Sequence, residues 1–296
     1  MGELRHDKWK GRTGGLPWMQ RFLILWLRSF GVRSLYCVMA CVIPFYMLFG
    51  RRGYKASMSY FRDRFGYSTL KAFAAVYRNH YVFGQVILDR FAMYAGQSFD
   101  FVMENGEDFN PLLGQDSGIV LMSSHVGNYE LAGYSLKAGD KPFCALVFSG
   151  ETQTVMQNRR TAFSRNNIRM VPVMEDMSHI FELNAMLDEG GIVSMPSDRL
   201  FGSPKKIRLP FLGKEADFPM GPFSLAVRKG VPSVAIFVMK EDTYRYRIIY
   251  RRLASSGGTD RKAEMASLAE SYVRVLEEVV RRYPHQWFNW YDFWEN

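Results

Sequence analysis

The stretch Gly118-Ile119-Val120-Leu121-Met122-Ser123-Ser124-His125-Val126-Gly127-Asn128-Tyr129-Glu130 decides the fold class of this chain. Its apolar part is short and uninterrupted, which is typical of a strand that is buried on both faces of a sheet. His125 follows this run almost at once, where a buried strand would deliver a reactive side chain to the sheet edge. The stretch therefore predicts an α/β protein with a functional site just after this strand.

His125 and Glu130 are the candidate reactive pair of this stretch. Residues five apart on an ideal helix point about 140° away from each other, so the pair needs a turn between them. If His125 lies in the turn and Glu130 in the first turn of the next helix, Glu130 would orient the imidazole, whose other nitrogen takes a proton from a substrate hydroxyl. We assign Gly127 and Asn128 to substrate binding, since a glycine allows close approach to the backbone. A histidine at a strand end with a solvated glutamate remains the simpler alternative.

Further apolar runs follow the first strand at regular intervals. They cover residues 143–148, 168–173, 191–196 and 232–239, and helical stretches alternate with them. This alternation predicts a mixed central sheet flanked by helices. Asp198 and Arg199 come just after the run 191–196, as His125 comes after the first, so we expect all three residues at one edge of the sheet. Apolar residues at steps of three and four also predict a helix from about Thr69 to Ala95.

The N-terminal part carries two strongly apolar runs, residues 22–27 and 35–49. Arg28 and Arg33 separate the runs, and Arg51 and Arg52 follow them. The second run has 15 residues and contains Pro44, so it is shorter than the ~20 residues that a spanning helix needs. A helical hairpin in the membrane surface, a full span and a buried core helix all stay open. We predict a membrane-associated helical segment at residues 1–55 and one α/β domain at residues 56–296.

Composition favours a lipid partner over other partners and classes. The 296 residues carry a formal charge of +9, and 48% of them are hydrophobic and 15% aromatic. The charge suits nucleic acid or anionic lipid, but no nucleic-acid-binding motif accompanies it. Sequence motifs of serine hydrolases, P-loop NTPases, Rossmann oxidoreductases and zinc proteases are also absent. The three cysteines lack metal-site spacing, and we predict no metal site; Cys144 would be a nucleophile only if His125 activated it.

Several motifs resemble one enzyme family. The pattern His-x-x-x-x-Glu after a hydrophobic strand resembles the signature of the lysophospholipid acyltransferase superfamily. More specifically, four stretches resemble the bacterial lipid A lauroyl/myristoyl (late) acyltransferase family: Ile192 to Gly202, Leu209 to Ala216, Pro219 to Pro222, and the Pro-x-Gln-Trp ending within Tyr283 to Trp290. Asp89-Arg90 similarly has a counterpart in the family pattern Phe-Gly-x-x-x-x-Asp-Arg. The resemblance runs in order from roughly Gly15 to Trp294.

Two departures from the family pattern concern the acceptor. This chain has Asp198-Arg199 where lipid A enzymes usually carry Asp-Gln, and Gly127-Asn128 replaces bulkier residues after the histidine. The resemblance implies transfer of a fatty acyl chain from a thioester of acyl carrier protein (ACP) or coenzyme A (CoA) to a hydroxyl of a lipid or glycolipid. It implies no further cofactor, and it places the enzyme at the bacterial inner (cytoplasmic) membrane with its active site facing the cytoplasm. The departures leave the acceptor lipid open.

The resemblance also suggests roles for individual residues. His125 would be the general base and Glu130 its orienting partner, while Asp198 and Arg199 would bind polar or phosphate groups of the substrates. Arg165, within the basic stretch 159–169, would hold the phosphopantetheine end of the donor or an acidic carrier-protein surface, although a solvated face explains this stretch as well. Two alternatives remain: a lipid or thioester hydrolase of the same fold, and a non-catalytic lipid-binding membrane protein. The second predicts that His125→Ala leaves function intact.

Overall fold

The computed structural model describes residues 17–131, 141–147, 160, 163–164, 167–174, 176–200 and 205–294. The helices of this part are α1 (Pro17–Phe49), α2 (Arg51–Ser59), α3 (Thr69–Tyr94), α4 (Asn110–Leu113), α5 (His179–Asp188), α6 (Gly221–Lys229) and α7 (Arg261–Arg282), with short π- and 3₁₀-helical turns at Tyr60–Arg64, Gly106–Asp108 and Pro284–Gln286. The strands are β1 (Asp100–Glu104), β2 (Ile119–Ser123), β3 (Phe143–Val147), β4 (Ile168–Pro172), β5 (Ile192–Pro196), β6 (Lys206–Phe211), β7 (Lys214–Pro219), β8 (Ser233–Lys240) and β9 (Arg245–Arg252).

The main sheet has the strand order β1-β9-β8-β2-β5-β3-β4. Its neighbours pair in parallel, except that β8 and β9 form an antiparallel pair. Strands β6 and β7 form a separate antiparallel hairpin. Helices cover both faces of the main sheet and bury two hydrophobic clusters against it. This architecture confirms the predicted mixed sheet flanked by helices.

The central strands are buried because their sequences are almost wholly apolar. Every residue of β2 and every residue of β8 is buried, as expected for strands that are covered on both faces. Five strands, β2, β3, β4, β5 and β8, agree with the predicted apolar runs to within about one residue, and helix α3 agrees with its predicted range. The apolar runs thus located five adjacent strands of the sheet, including β2 and β5, which carry the site.

Helix α1 is the N-terminal helix, and much of its apolar surface faces outward. It changes direction at Gly31, whose φ of 70° is not helical. Residues 21–49 are apolar enough to cross a membrane by length and composition, and 22% of their most apolar window is buried in the protein. The core helix of a soluble protein would be mostly buried, unlike this one. A signal sequence near the N-terminus would be equally long and apolar. Exposed large apolar side chains of α1 are Trp18, Met19, Phe22, Leu25, Phe30, Val38, Val42, Phe45, Tyr46, Leu48 and Phe49.

The other side of α1 packs against α3. The Tyr77 hydroxyl donates a hydrogen bond to the carbonyl of Ala40 at 3.0 Å. Gly84 allows the close approach, because a Cβ there would lie 2.8 Å from the sulfur of Met39. Cys37 and Cys41 lie on the exposed part of α1, whereas Cys144 in β3 is buried. Helix α2 continues across the predicted domain boundary at residue 55.

Candidate active site

Two neighbouring strands deliver the central pair of the site. Strands β2 and β5 are parallel, and Ser123 pairs with Pro196 at their carboxyl ends. The backbone N–H of Ser197 donates to the carbonyl of Ser123 at 2.9 Å and extends this pairing by one residue. His125 and Asp198 each follow two residues after the paired ends. The register of the sheet therefore brings them together from positions 73 residues apart in the chain.

The Asp198 carboxylate holds His125 at two points. Oδ1 lies 2.8 Å from Nδ1 of the imidazole, and Oδ2 accepts the backbone N–H of His125 at 2.9 Å. The Asp198 side chain is 1% exposed and that of His125 is 15% exposed. The carboxylate fixes both the ring and the backbone of the histidine, while part of the ring remains accessible.

The electrostatics of this pair favour a neutral histidine next to an ionised aspartate. Burial lowers the pKa of His125, and the charge of Arg199 lowers it further, against the opposing effect of Asp198. For Asp198, burial alone would raise the pKa, but the charge and hydrogen bonds of His125 and the charge of Arg199 lower it. The ionised carboxylate can only accept a hydrogen bond, so Nδ1 carries the proton and donates to it. Nε2 is then the unprotonated nitrogen, which suits a general base.

Glu130 forms an ion pair with Arg90 of α3. The distance between its Oε1 and Nη1 of Arg90 is 2.5 Å, and the Glu130 side chain is 4% exposed. The sequence predicted Glu130 as the partner of His125 and Asp198 as a substrate ligand, but the structure places Asp198 at Nδ1. The contact at Nδ1 is thus made by Asp198, and the orienting role of Glu130 stays a prediction. Arg90, singled out only by the family pattern, joins α3 to the helix start that follows His125.

Gly127 and Asn128, predicted as substrate ligands, both pack within the protein, and their substrate-binding role stays a prediction. Gly127 has a φ of 65°, and a Cβ there would lie 2.1 Å from the carbonyl oxygen of Val238 in β8. The glycine is thus required by the protein's own backbone. Asn128 is 1% exposed; its backbone N–H donates to Val238 at 2.7 Å, and its side chain donates to the carbonyl of Val86 at 3.3 Å.

Arg199 lies next to the histidine–aspartate pair and is held by the C-terminal residues. Its Nη2 donates to the carbonyl of Phe288 at 2.5 Å, and its guanidinium carbon lies 5.8 Å from the centre of the Tyr291 ring. Nε of Arg199 is buried and has no hydrogen-bond partner in the described residues. The phosphate-binding role of Arg199 stays a prediction. Arg165 and the pair Phe201-Gly202, which ends the family-like stretch Ile192 to Gly202, lie outside the described residues.

A second polar cluster is buried beside the site. Asp89 of α3 accepts hydrogen bonds from Tyr36 of α1, from Tyr246 of β9 and, at 2.7 Å, from Lys240 Nζ of β8. Asn128 connects it to the site, because its side chain lies 3.4 Å from the Tyr246 hydroxyl. The sequence pointed only to Asp89, through the family pattern that contains Asp89-Arg90. Sequence reasoning missed its partners, since they lie on three other elements.

Cys144 does not fit the role of a nucleophile. Its side chain is fully buried, and burial raises the pKa of its thiol to about 12. Activation by a base would require a thiolate at neutral pH. Among the described residues, no group of three or more His, Cys, Asp and Glu side chains is arranged to hold a metal ion.

Comparison with known proteins identifies the family of the chain. The chain is similar to the crystal structure of the 1-acyl-sn-glycerophosphate (LPA) acyltransferase PlsC from Thermotoga maritima, with 15% identity and a TM-score of 0.41 over 89% of this chain and 98% of that one. No curated protein sequence matches the chain. The family model for bacterial lipid A biosynthesis acyltransferases matches residues 81–294, which include His125, Asp198 and the C-terminal motif. The chain therefore belongs to the bacterial lipid A biosynthesis acyltransferase family.

Proposed function

We propose that this protein transfers a fatty acyl chain from an acyl-ACP or acyl-CoA thioester to a hydroxyl of a membrane lipid or glycolipid. The observation that carries the proposal is the His125–Asp198 pair at the ends of two adjacent parallel strands. It supplies a neutral, oriented and partly accessible imidazole within a chain of an acyltransferase family. The late lipid A subtype is part of the same proposal.

The reaction is a single displacement. Nε2 of His125 removes the proton from the acceptor hydroxyl while the hydroxyl oxygen attacks the carbonyl carbon of the thioester. The new ester C–O bond forms, the C–S bond breaks, and the imidazolium returns its proton to the departing thiolate. Asp198 stabilises the imidazolium and keeps Nδ1 protonated throughout. We place Arg199 near the reacting groups, where its positive charge would attract an anionic substrate group.

The exposed apolar surface of α1 supports a place at the membrane. Large apolar side chains cover this surface, and the whole chain has a formal charge of +9, which favours an anionic bilayer surface. We propose that the protein acts at the bacterial inner membrane with the His125 site on the cytoplasmic side. Acyl-ACP and acyl-CoA are made in the cytoplasm, so this orientation gives the site access to its donor.

Mass spectrometry of cellular lipids tests the proposal. Lipids from cells that express the wild type are compared with lipids from cells that express His125→Ala, with both proteins checked for equal amount and folding. A lipid that is heavier by one acyl unit, and that the variant does not produce, supports acyl transfer and identifies the acceptor. Unchanged lipids contradict it, and release of free fatty acid from the thioester by the wild type would show a hydrolase instead.

A further inference from the structure

The C-terminal segment, residues 285–288, lies directly against the backbone of the catalytic histidine. The N–H of Gly127 donates to the carbonyl of Gln286 at 2.8 Å, and the N–H of Phe288 donates to the carbonyl of His125 at 3.1 Å. These two bonds flank an antiparallel bridge between Val126 and Trp287. The segment therefore acts as a short extra strand, which holds the turn that carries His125.

The same segment also holds Arg199. The backbone N–H of Phe288 donates to the carbonyl of His125, and the backbone carbonyl of Phe288 accepts from Nη2 of Arg199. One residue thus connects the backbone of the base with the cation beside it. A displacement of Phe288 would change the distance of Arg199 from both His125 and Asp198.

Gln286 fixes the segment to the end of β8. Its Oε1 accepts the backbone N–H of Lys240 at 2.9 Å, and its Nε2 donates to the carbonyl of Lys240 at 2.7 Å. The side-chain amide of Gln286 thus bonds both the N–H and the carbonyl of Lys240, as the backbone of a neighbouring strand would. Gln286 is 8% exposed, so water does not compete strongly for these bonds.

Asn79 of α3 holds the segment from the other side. Its Nδ2 donates to the carbonyls of His285 and Trp287, each at 3.0 Å. Its Oδ1 accepts the indole N–H of Trp290 at 3.0 Å. Asn79 is 2% exposed, and all the hydrogen bonds described for its side chain go to C-terminal residues. The C-terminal segment is thus bonded to α3 through the buried amide of Asn79 and to β8 through the buried amide of Gln286.

We infer that Gln286 and Asn79 are positioning residues, which fix His125 and Arg199 through the C-terminal segment. The inference rests on the proposed acyl transfer and gives a role to the Pro284-His285-Gln286-Trp287 motif, whose contacts reach the base through the backbone. Sequence reasoning could not supply this role, because the segment and His125 are about 160 residues apart in the chain. Apolar packing alone would need neither amide.

Gln286→Ala and Asn79→Ala test the inference, and Gln97→Ala is the matched control. Gln97 also makes a side-chain hydrogen bond to a backbone carbonyl, that of Leu27 at 2.8 Å, but it does not contact the C-terminal segment in the described structure. Thermal unfolding first establishes that each variant is folded. Steady-state kinetics then separate kcat from KM for the thioester donor, over a range of pH.

The expected result is a lower kcat in both test variants, by about tenfold or more, with KM for the donor within about twofold of the wild type. The acid limb of the pH profile should also move to higher pH. A less restrained His125 becomes more hydrated and moves away from Arg199, and both changes raise its pKa. Gln97→Ala should leave both readouts as in the wild type. Unchanged kcat and pH profiles in folded Gln286→Ala and Asn79→Ala would overturn the inference, as would equal changes in Gln97→Ala.

A second readout does not depend on acyl transfer. Diethyl pyrocarbonate modifies neutral imidazoles, and peptide mass spectrometry separates His125 from the other four histidines. The pH midpoint of His125 modification should rise in Gln286→Ala and Asn79→Ala. If the wild type transfers no acyl group, the proposed function fails, but this midpoint still decides whether the segment positions His125; an unchanged midpoint overturns that claim alone.

Discussion

At the residue scale, the hydrogen bond from Nδ1 to Asp198 decides which nitrogen of His125 can act as a base. A histidine that donates from Nδ1 in its neutral form has its lone pair on Nε2. An uncharged partner at this position would no longer favour that tautomer or stabilise the imidazolium formed during the reaction. The two carboxylates of the predicted site therefore make separable contributions.

We expect Asp198→Asn to lower kcat by about 10³-fold or more, because loss of such a carboxylate disturbs both tautomer and charge. Glu130→Gln should lower kcat less, since its amide still accepts a hydrogen bond from Arg90 and the contact at Nδ1 persists. Acyl transfer assays with purified, folded variants compare the two. An equal or greater loss in Glu130→Gln would support the prediction that Glu130 orients His125.

The pH profile of kcat/KM should shift in opposite directions in two variants. Burial and Arg199 hold the pKa of His125 below its ordinary 6.5, so the wild type should keep its neutral base below that pH. Arg199→Gln removes a positive charge, and we expect the acid limb to move to higher pH. Asp198→Asn removes a negative charge and should move the limb to lower pH. Shifts of the same sign would show that the Coulomb interactions with the imidazolium are wrongly assigned.

The sequence predicted His125, Glu130, Asp198 and Arg199 as members of the site, but it did not predict the contact of Asp198 with His125 or that of Glu130 with Arg90. The reason is that Glu130 is near in sequence, whereas Asp198 reaches His125 only through the register of β2 and β5. Gly127 illustrates the same limit. Its glycine suggested room for a substrate, yet the space is filled by Val238 of a strand more than a hundred residues later.

At the scale of elements, the buried Asp89–Lys240 pair connects α3 with the end of β8. Burial raises the pKa of Asp89 although Lys240 and two tyrosines oppose this effect, and burial lowers the pKa of Lys240 although Asp89 opposes it. Desolvation thus outweighs attraction for both groups. The pair contributes little net stability relative to apolar residues, but each member needs the other.

We expect Lys240→Met to lower the free energy of unfolding by about 3–5 kcal/mol, because it leaves Asp89 buried without its cation. The double variant Lys240→Met/Asp89→Asn should recover a large part of this loss, since the buried charge is gone. Urea unfolding at neutral pH measures both. A double variant that is less stable than Lys240→Met would show that the charge of Asp89 is stabilised by other groups.

Five strands of the main sheet could be predicted from sequence, but the edge strand β1 and its neighbour β9 could not. Strand β1 is largely exposed, so no apolar run marks it. Strand β9, Arg245-Tyr-Arg-Ile-Ile-Tyr-Arg-Arg252, has charged residues at both ends, and only its middle is continuously buried. Pairing order and register depend on contacts between distant strands, and local periodicity does not encode them.

At the scale of the whole molecule, α1 leaves a large apolar surface on a basic protein. Monomeric soluble proteins rarely expose such a surface unless it binds a partner. Leu48 is 69% and Phe49 is 85% exposed, and Arg51 and Arg52 follow directly. This combination suits an apolar helix end inserted below anionic headgroups.

We expect Leu48→Ser/Phe49→Ser to weaken binding to vesicles of phosphatidylethanolamine and phosphatidylglycerol by roughly tenfold, since the two exposed apolar side chains would be removed. Phe181→Ser is the control, because Phe181 is 78% exposed on α5. Vesicle co-sedimentation measures binding, and circular dichroism checks the fold. If Phe181→Ser weakens binding equally, attachment depends on surface hydrophobicity in general. If Leu48→Ser/Phe49→Ser binds as tightly as the wild type, the membrane contact lies elsewhere.

The three native cysteines differ in exposure, so their alkylation reports which parts of the chain are accessible to solvent. Cys37 and Cys41 face outward from α1, while Cys144 is buried with a raised pKa. A water-soluble maleimide should therefore alkylate the helix and leave β3 unmodified, without any engineered substitution. Added vesicles would shield the two helical thiols if they enter the bilayer, so the ratio of alkylation with and without lipid would map the depth of α1 in the native sequence.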